Sequence, residues 1–137
     1  MKSFDKLVKV MRKLRSPKGG CPWDRKQTHE TLLKYLFEET EELKQSIQKK
    51  DIPNMEEELG DVLFQVLFHA QLASEKKHFN METVIKTLTR KLMLRHPHVF
   101  GYQKEHRALL KGRKLSLKTE KEVLGNWDLL KTISRAK

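Results

Sequence analysis

A chain of 137 residues is long enough for one domain with a buried core. Apolar residues make up 37% and charged residues 34%, a balance that favours a well-solvated helical protein over a β-sandwich, and no run approaches the roughly 20 apolar residues of a membrane span. The formal net charge of +11 points to anionic partners such as nucleotide phosphates or nucleic acid, and the sole cysteine, Cys21, excludes an internal disulfide and fits a reducing, cytoplasmic setting.

Phe4, Leu7, Val8, Met11 and Leu14 recur at helical spacing and predict a short amphipathic helix over 4–15. It is basic, as membrane-surface helices and transit peptides are, but lacks a signal peptide's apolar run and cleavage site. Ser16-Pro17-Lys18-Gly19-Gly20 breaks it. Asp24 and Gln27 have capping-box spacing, so a second helix is expected from about Arg25 to Lys49, carrying Leu32, Leu33, Leu36, Leu43 and Ile47. Asp51-Ile52-Pro53 reads as a tight connection and cap for a third helix to about Lys76.

The middle of that third helix, Val62 to Phe68, is apolar almost all round. Such a helix is buried on more than one side, which predicts a homodimer or higher homo-oligomer packed through the central helices; a central place in the monomer's own bundle is the alternative. Asn80 caps a fourth helix ending near Arg95, before His96-Pro97. Residues 101–118 read as a mobile basic loop, and Thr119 with Glu122 opens a last helix holding Trp127 and Lys131. The expected fold is all-α, a single domain over 1–137.

Against this basic background, eight of the eighteen acidic residues fall in two short windows: Glu38, Glu39, Glu41 and Glu42, then Glu56, Glu57, Glu58 and Asp61. Glu39 with Glu42, and Glu58 with Asp61, are i, i+3 pairs, so each pair shares a helix face. The pairs flank a short connection, which makes their helices antiparallel neighbours. At about 1.5 Å per residue, Glu42 and Glu58 lie roughly 10 and 8 Å from the turn, and Glu39 and Asp61 roughly 15 and 12 Å. Glu42 should therefore oppose Glu58, and Glu39 oppose Asp61. Glu39 also interrupts the Leu32, Leu36, Leu43 stripe, where a solvated charge is out of place. Four converging carboxylates need a cation, and oxygen-only clusters favour a hard ion such as Mg²⁺, which usually arrives with phosphates. Glu41, Glu56 and Glu57 fit an ordinary solvated face.

Five motifs in order carry a family resemblance. They are Cys21-Pro22-Trp23-Asp24 followed by Gln27-Thr28-His29; Glu38-Glu39-Thr40-Glu41-Glu42; Glu58-Leu59-Gly60-Asp61; Lys91-Leu92 with Arg95-His96-Pro97-His98-Val99-Phe100; and Trp127 with Lys131. Together they resemble the MazG family of nucleotide pyrophosphohydrolases across 21–131. The resemblance implies an all-α, oligomeric enzyme that converts NTP or dNTP and water to monophosphate and pyrophosphate. It implies Mg²⁺ as cofactor, with Mn²⁺ able to substitute, and Glu39, Glu42, Glu58 and Asp61 as ligands. Lys91 and Arg95 would contact phosphates, and Trp127 and Lys131 would hold the nucleotide.

Several residues keep two readings. Glu38 either activates water or forms a salt bridge. Lys91 and Arg95, i and i+4, form an anion clamp or ordinary surface charge. Trp127 stacks on a base or packs in the core. His96 and His98 touch phosphate or cap the fourth helix. Trp23 closes over the site or anchors the first helix, while His29, His69 and Cys21 read as structural. A second function class is a nucleic-acid-binding or regulatory module on a degenerate fold. The basic 101–118 segment favours it; the lack of aromatics interleaved with those charges, and four intact carboxylates, argue against it.

Overall fold

The computed structural model describes residues 1–136. Among them there are nine helices and no strand: α1 (Lys2–Leu14), α2 (Pro22–Lys26), α3 (His29–Gln48), α4 (Ile52–Glu75), α5 (Met81–Arg95), α6 (Pro97–Phe100), α7 (Lys104–Leu110), α8 (Glu120–Gly125) and α9 (Trp127–Arg135). Their contacts group into two compact units, Met1–Met81 and the stretch from Glu82 onward.

In the first unit α3 and α4 form an antiparallel pair, and α1 packs against α4. Met11, Leu32, Leu67, Phe68 and Leu72 form its core, with Phe4, Val8, Leu14, Tyr35, Leu63 and Met81 packed around them. The α3–α4 turn is a Schellman motif. Lys50 takes the left-handed conformation at φ 54°, Asp51 N–H donates to Ser46 O at 3.0 Å, and Lys50 N–H donates to Ile47 O at 3.1 Å. Asp51 then caps α4 by accepting from Asn54 N–H, as its position predicts. Lys77 repeats the device at the end of α4, with φ 60° and His78 N–H donating to Ala73 O.

The predicted second helix is corrected: α2 and α3 replace one continuous element. Gln27 is extended (φ −75°, ψ 148°), and Thr28, not Asp24, caps α3 by accepting from Thr31 N–H. Arg15 accounts for the break. Its guanidinium donates to both Glu75 oxygens (2.9 and 2.5 Å) and to the carbonyls of Asp24 (2.7 Å) and Gln27 (3.3 Å). One side chain thus ties the end of α1, the segment around α2 and the end of α4. Gly20 lets the turn after α1 fold back tightly enough for Cys21 N–H to donate to Leu14 O at 2.8 Å, because a Cβ there would lie 2.3 Å from Ser16 O.

In the second unit α7 and α8 pack against α9, whose Leu130 and Ile133 are fully buried. Segment 101–118 differs from the predicted loop, since it contains α7 and buries His106, Leu110 and Leu117. His106 accepts from Gln103 N–H at Nδ1 (2.8 Å) and donates from Nε2 to Leu94 O (2.6 Å). Tyr102 Oη accepts from Leu115 N–H at 2.8 Å. The last predicted helix is also divided: α8 opens on the Thr119 cap, and Asn126 separates it from α9.

Candidate functional site

The α3–α4 pairing brings all four paired carboxylates together. One oxygen each from Glu39, Glu42, Glu58 and Asp61 lies within 4.8 Å of the others. Glu58 is buried, Glu39 and Asp61 are half-buried, and Glu42 is exposed. Burial pushes the Glu39 carboxyl up to about 7, helped by the charge and hydrogen bond of Glu42 and by Asp61 and Glu58. Burial also raises Glu58, followed by the hydrogen bond and charge of Glu42. Glu42 thus lies against carboxyls of both helices, and such carboxyl–carboxyl contacts need a shared proton or a cation between them.

Glu39 Oε2 and Glu58 Oε2 are buried with no hydrogen-bond partner. A buried acceptor left unpaired is destabilising, and like charges add to that. An oxygen-only donor set with two orphaned buried oxygens fits a hard divalent cation such as Mg²⁺. Glu38, Glu56 and Glu57 are exposed and lie outside the cluster. Glu41 is exposed and pairs with Lys44 at 3.9 Å, as a solvated face does.

Other residues of the first unit lie along the same helices. Tyr35, one turn before Glu39 on α3, meets Trp23 edge-on with centroids 5.4 Å apart, and Trp23 is 47% exposed. Tyr35 escapes sequence reasoning, although its i−4 spacing from Glu39 was visible. His29 and His69, read separately from the sequence, are a pair. Their Nδ1 atoms lie 2.7 Å apart in rings stacked at 5.0 Å, so one must donate and the other accept. Burial, then His29, lowers the His69 pKa.

In the second unit, Arg95, His96 and Trp127 come together. The Arg95 guanidinium sits 5.7 Å from the Trp127 ring centroid and donates from Nε to Ser134 Oγ at 3.1 Å. His96 meets Trp127 edge-on at 5.8 Å and lies 5.7 Å from His98, and its Nδ1 donates to Leu92 O. Trp127 is half-buried, so it both packs and presents an edge. Lys131 pairs with Asp128 at 3.7 Å, and Lys91 lies half-buried one turn before Arg95 on α5. A groove of about 380 Å³ along α5, lined by Ile85, Lys86, Thr89, Arg90, Met93 and Glu105 among others, contains none of these residues.

Residues 27–100 match the family model described as the MazG nucleotide pyrophosphohydrolase domain. The chain is 60% identical over 98 residues to the nucleoside triphosphate pyrophosphohydrolase/pyrophosphatase MazG of Thermotoga maritima, covering 72% of this chain and 38% of that one. It is 39% identical over 136 residues to the nucleoside triphosphate pyrophosphohydrolase of Escherichia coli K12, covering 99% of this chain and 47% of that one. It therefore spans less than half the length of these curated relatives. The crystal structure of a mazG-related protein from Thermotoga maritima superposes with a TM-score of 0.66 at 30% identity, covering 96% of this chain and 99% of that one. With four carboxylates drawn together on α3 and α4 inside the matched segment, this chain belongs to the MazG nucleotide pyrophosphohydrolase family.

Proposed function

We propose that this chain hydrolyses nucleoside triphosphates, NTP or dNTP, to the monophosphate and pyrophosphate in a Mg²⁺-dependent reaction that clears unwanted nucleotides. The observation that carries the reading is the cluster of Glu39, Glu42, Glu58 and Asp61, with two buried oxygens that nothing in the protein satisfies. These four would hold the metal, and Mn²⁺ has the same taste for carboxylate oxygens. Bound there, the ion supplies neutralisation of charge developing on the pyrophosphate leaving group. Glu58 and Glu39 must lose their protons to bind it, so their raised pKa values make loading pH-dependent.

Lys91 and Arg95 would contact phosphates. Arg95 is already oriented by Ser134 and the Trp127 face, which lowers the entropy of holding an anion. Trp127 and Lys131 would hold the nucleotide, and His96 and His98 would add donors to phosphate oxygens. Glu38, exposed beside Glu39 in sequence, would take the proton of the attacking water. Attack at the α-phosphorus is the reading carried by the family.

A homodimer or larger homo-oligomer accompanies this reading. Phe37 is 70% exposed, and Leu33, Leu59 and Val66 on the same two helices are also exposed, a surface that association would bury. Among the described residues no helix is long and apolar enough to cross a membrane.

The test is product analysis of an NTP and dNTP panel with and without Mg²⁺. Pyrophosphate with monophosphate, formed only with metal, is expected. Diphosphate with free phosphate would place attack at the terminal phosphorus and overturn the reading.

A further inference from the structure

Segment 101–118 holds six cations, Lys104, Arg107, Lys111, Arg113, Lys114 and Lys118, against one carboxylate, Glu105. All six cations are exposed. Glu105 is turned away from them: its side chain is 16% exposed and pairs with Arg90 on α5 at 3.3 Å. Of the two carboxylates that follow, Glu120 is exposed, and Glu122 accepts from the Ser116 hydroxyl, the Lys118 N–H and the Thr119 hydroxyl. The outer face of the segment is therefore cationic without an internal counter-charge.

That face is also built rather than loose. His106, Leu110 and Leu117 anchor it from beneath. Arg107 donates from Nη1 to Tyr102 O at 3.1 Å, and Arg113 donates from Nε to Leu110 O at 3.2 Å. Each guanidinium is held by the backbone yet keeps most of its five N–H donors. Lys111, at φ 51°, turns the chain so that Arg113 and Lys114 follow on from α7. Lys104, Arg107 and Lys111 span about 10 Å of helix, and a nucleic-acid duplex carries about six charges over that length.

We propose that this ridge binds the phosphate backbone of double-helical nucleic acid, as a second activity separate from nucleotide hydrolysis. A duplex is favoured over a single strand because the ridge offers no stacking platform. Tyr102 is the only Phe, Trp or Tyr of the segment, its hydroxyl accepts from Leu115 N–H, and its ring packs on His106 at 5.3 Å. Recognition runs through phosphates, so binding is sequence-independent and salt-dependent.

The experiment is fluorescence anisotropy of a 20-base-pair DNA duplex and its single strand with the full chain, across a salt series. The variant Lys104→Gln/Arg107→Gln/Lys111→Gln is compared with Lys2→Gln/Lys6→Gln/Lys9→Gln, which removes the same charge from exposed positions of α1. The ridge variant should lose duplex affinity by about tenfold or more and flatten the log–log salt slope by about 3. The α1 variant should lose less than about threefold. Nucleotide turnover should be unchanged in the ridge variant. Equal loss in both variants, absence of duplex binding by the unaltered chain, or tighter binding of the single strand would overturn the proposal. So would a raised KM for nucleotide in the ridge variant, or ridge-dependent binding to anionic vesicles in preference to duplex. Because the readout is binding, it stands or falls independently of the hydrolytic reading.

Discussion

The acidic cluster on α3 and α4 and the basic ridge around α7 are both like-charge groupings, yet the fold treats them oppositely. The ridge spreads its charges over exposed positions, where each is solvated and repulsion is screened within about 10 Å at ordinary ionic strength. The cluster confines four carboxylates within 4.8 Å and buries two of their oxygens without partners. Helix geometry forces that crowding, and a cation or retained protons must relieve it. The comparison teaches that placement which costs stability is the stronger pointer to chemistry, while charge that costs nothing points at most to a docking surface.

The sharpest way to break this comparison is to remove the cluster's charge. Glu42→Gln or Asp61→Asn should lower pyrophosphate release by more than about 100-fold, while thermal stability without metal is unchanged or higher, because repulsion is relieved. Surviving turnover in both variants would remove the metal-site assignment. The ordered scaffold of the ridge is tested by His106→Ala, which leaves Leu94 O and Gln103 N–H unpaired in the core. A loss of about 3 kcal/mol is expected, read as faster amide exchange across Leu94–Leu110. Arg15→Ala should cost about 2 kcal/mol by chemical denaturation, since four hydrogen bonds joining α1, the α2 segment and α4 go together.

The smallest effects are pH-dependent and opposite in sign. Glu39 has its folded pKa raised to about 7. Its contribution is present in acid and is lost as pH rises through about 7, so metal-free protein should lose stability between about pH 4.5 and 7. Saturating Mg²⁺ should abolish that decline, and Glu39→Gln should reduce it to the part carried by Glu58, which burial also raises. Glu75 is held below the usual carboxylate range by the Arg15 hydrogen bonds. Its contribution is present at neutral pH and is lost as pH falls below the ordinary carboxylate value. Thermal melts across about pH 2 to 8 separate the two, and a Glu39→Gln melt that declines towards pH 7 as steeply as that of the unaltered chain would mean that another group carries the effect.

Much of the geometry of the carboxylate cluster could be read locally. The i, i+3 spacing and the short Asp51-Ile52-Pro53 connection are enough to bring Glu39, Glu42, Glu58 and Asp61 together, because two helices joined by a tight turn have few arrangements. The helix ends were less legible. Lys50 and Lys77 occupy left-handed positions where glycine is the usual marker, and the α2–α3 break depends on Arg15, twelve residues from Gln27. A capping-box match at Asp24 therefore misled, because a long-range guanidinium outweighed a local preference.

By itself the sequence determined the helical class, the tandem carboxylate pairs and the α4 cap, since each rests on interactions spanning a few residues. Only the tertiary structure decided that His29 meets His69 across forty residues, and that Arg95 and His96 gather on Trp127. It also decided that a segment read as a loop is an ordered ridge, with Glu105 drawn inward by Arg90 and His106 locked to Leu94 O. Those outcomes depend on burial and on partners distant in the chain. Composition registers a surplus of lysine and arginine, but packing selects which carboxylate is withdrawn and which cations are left facing water.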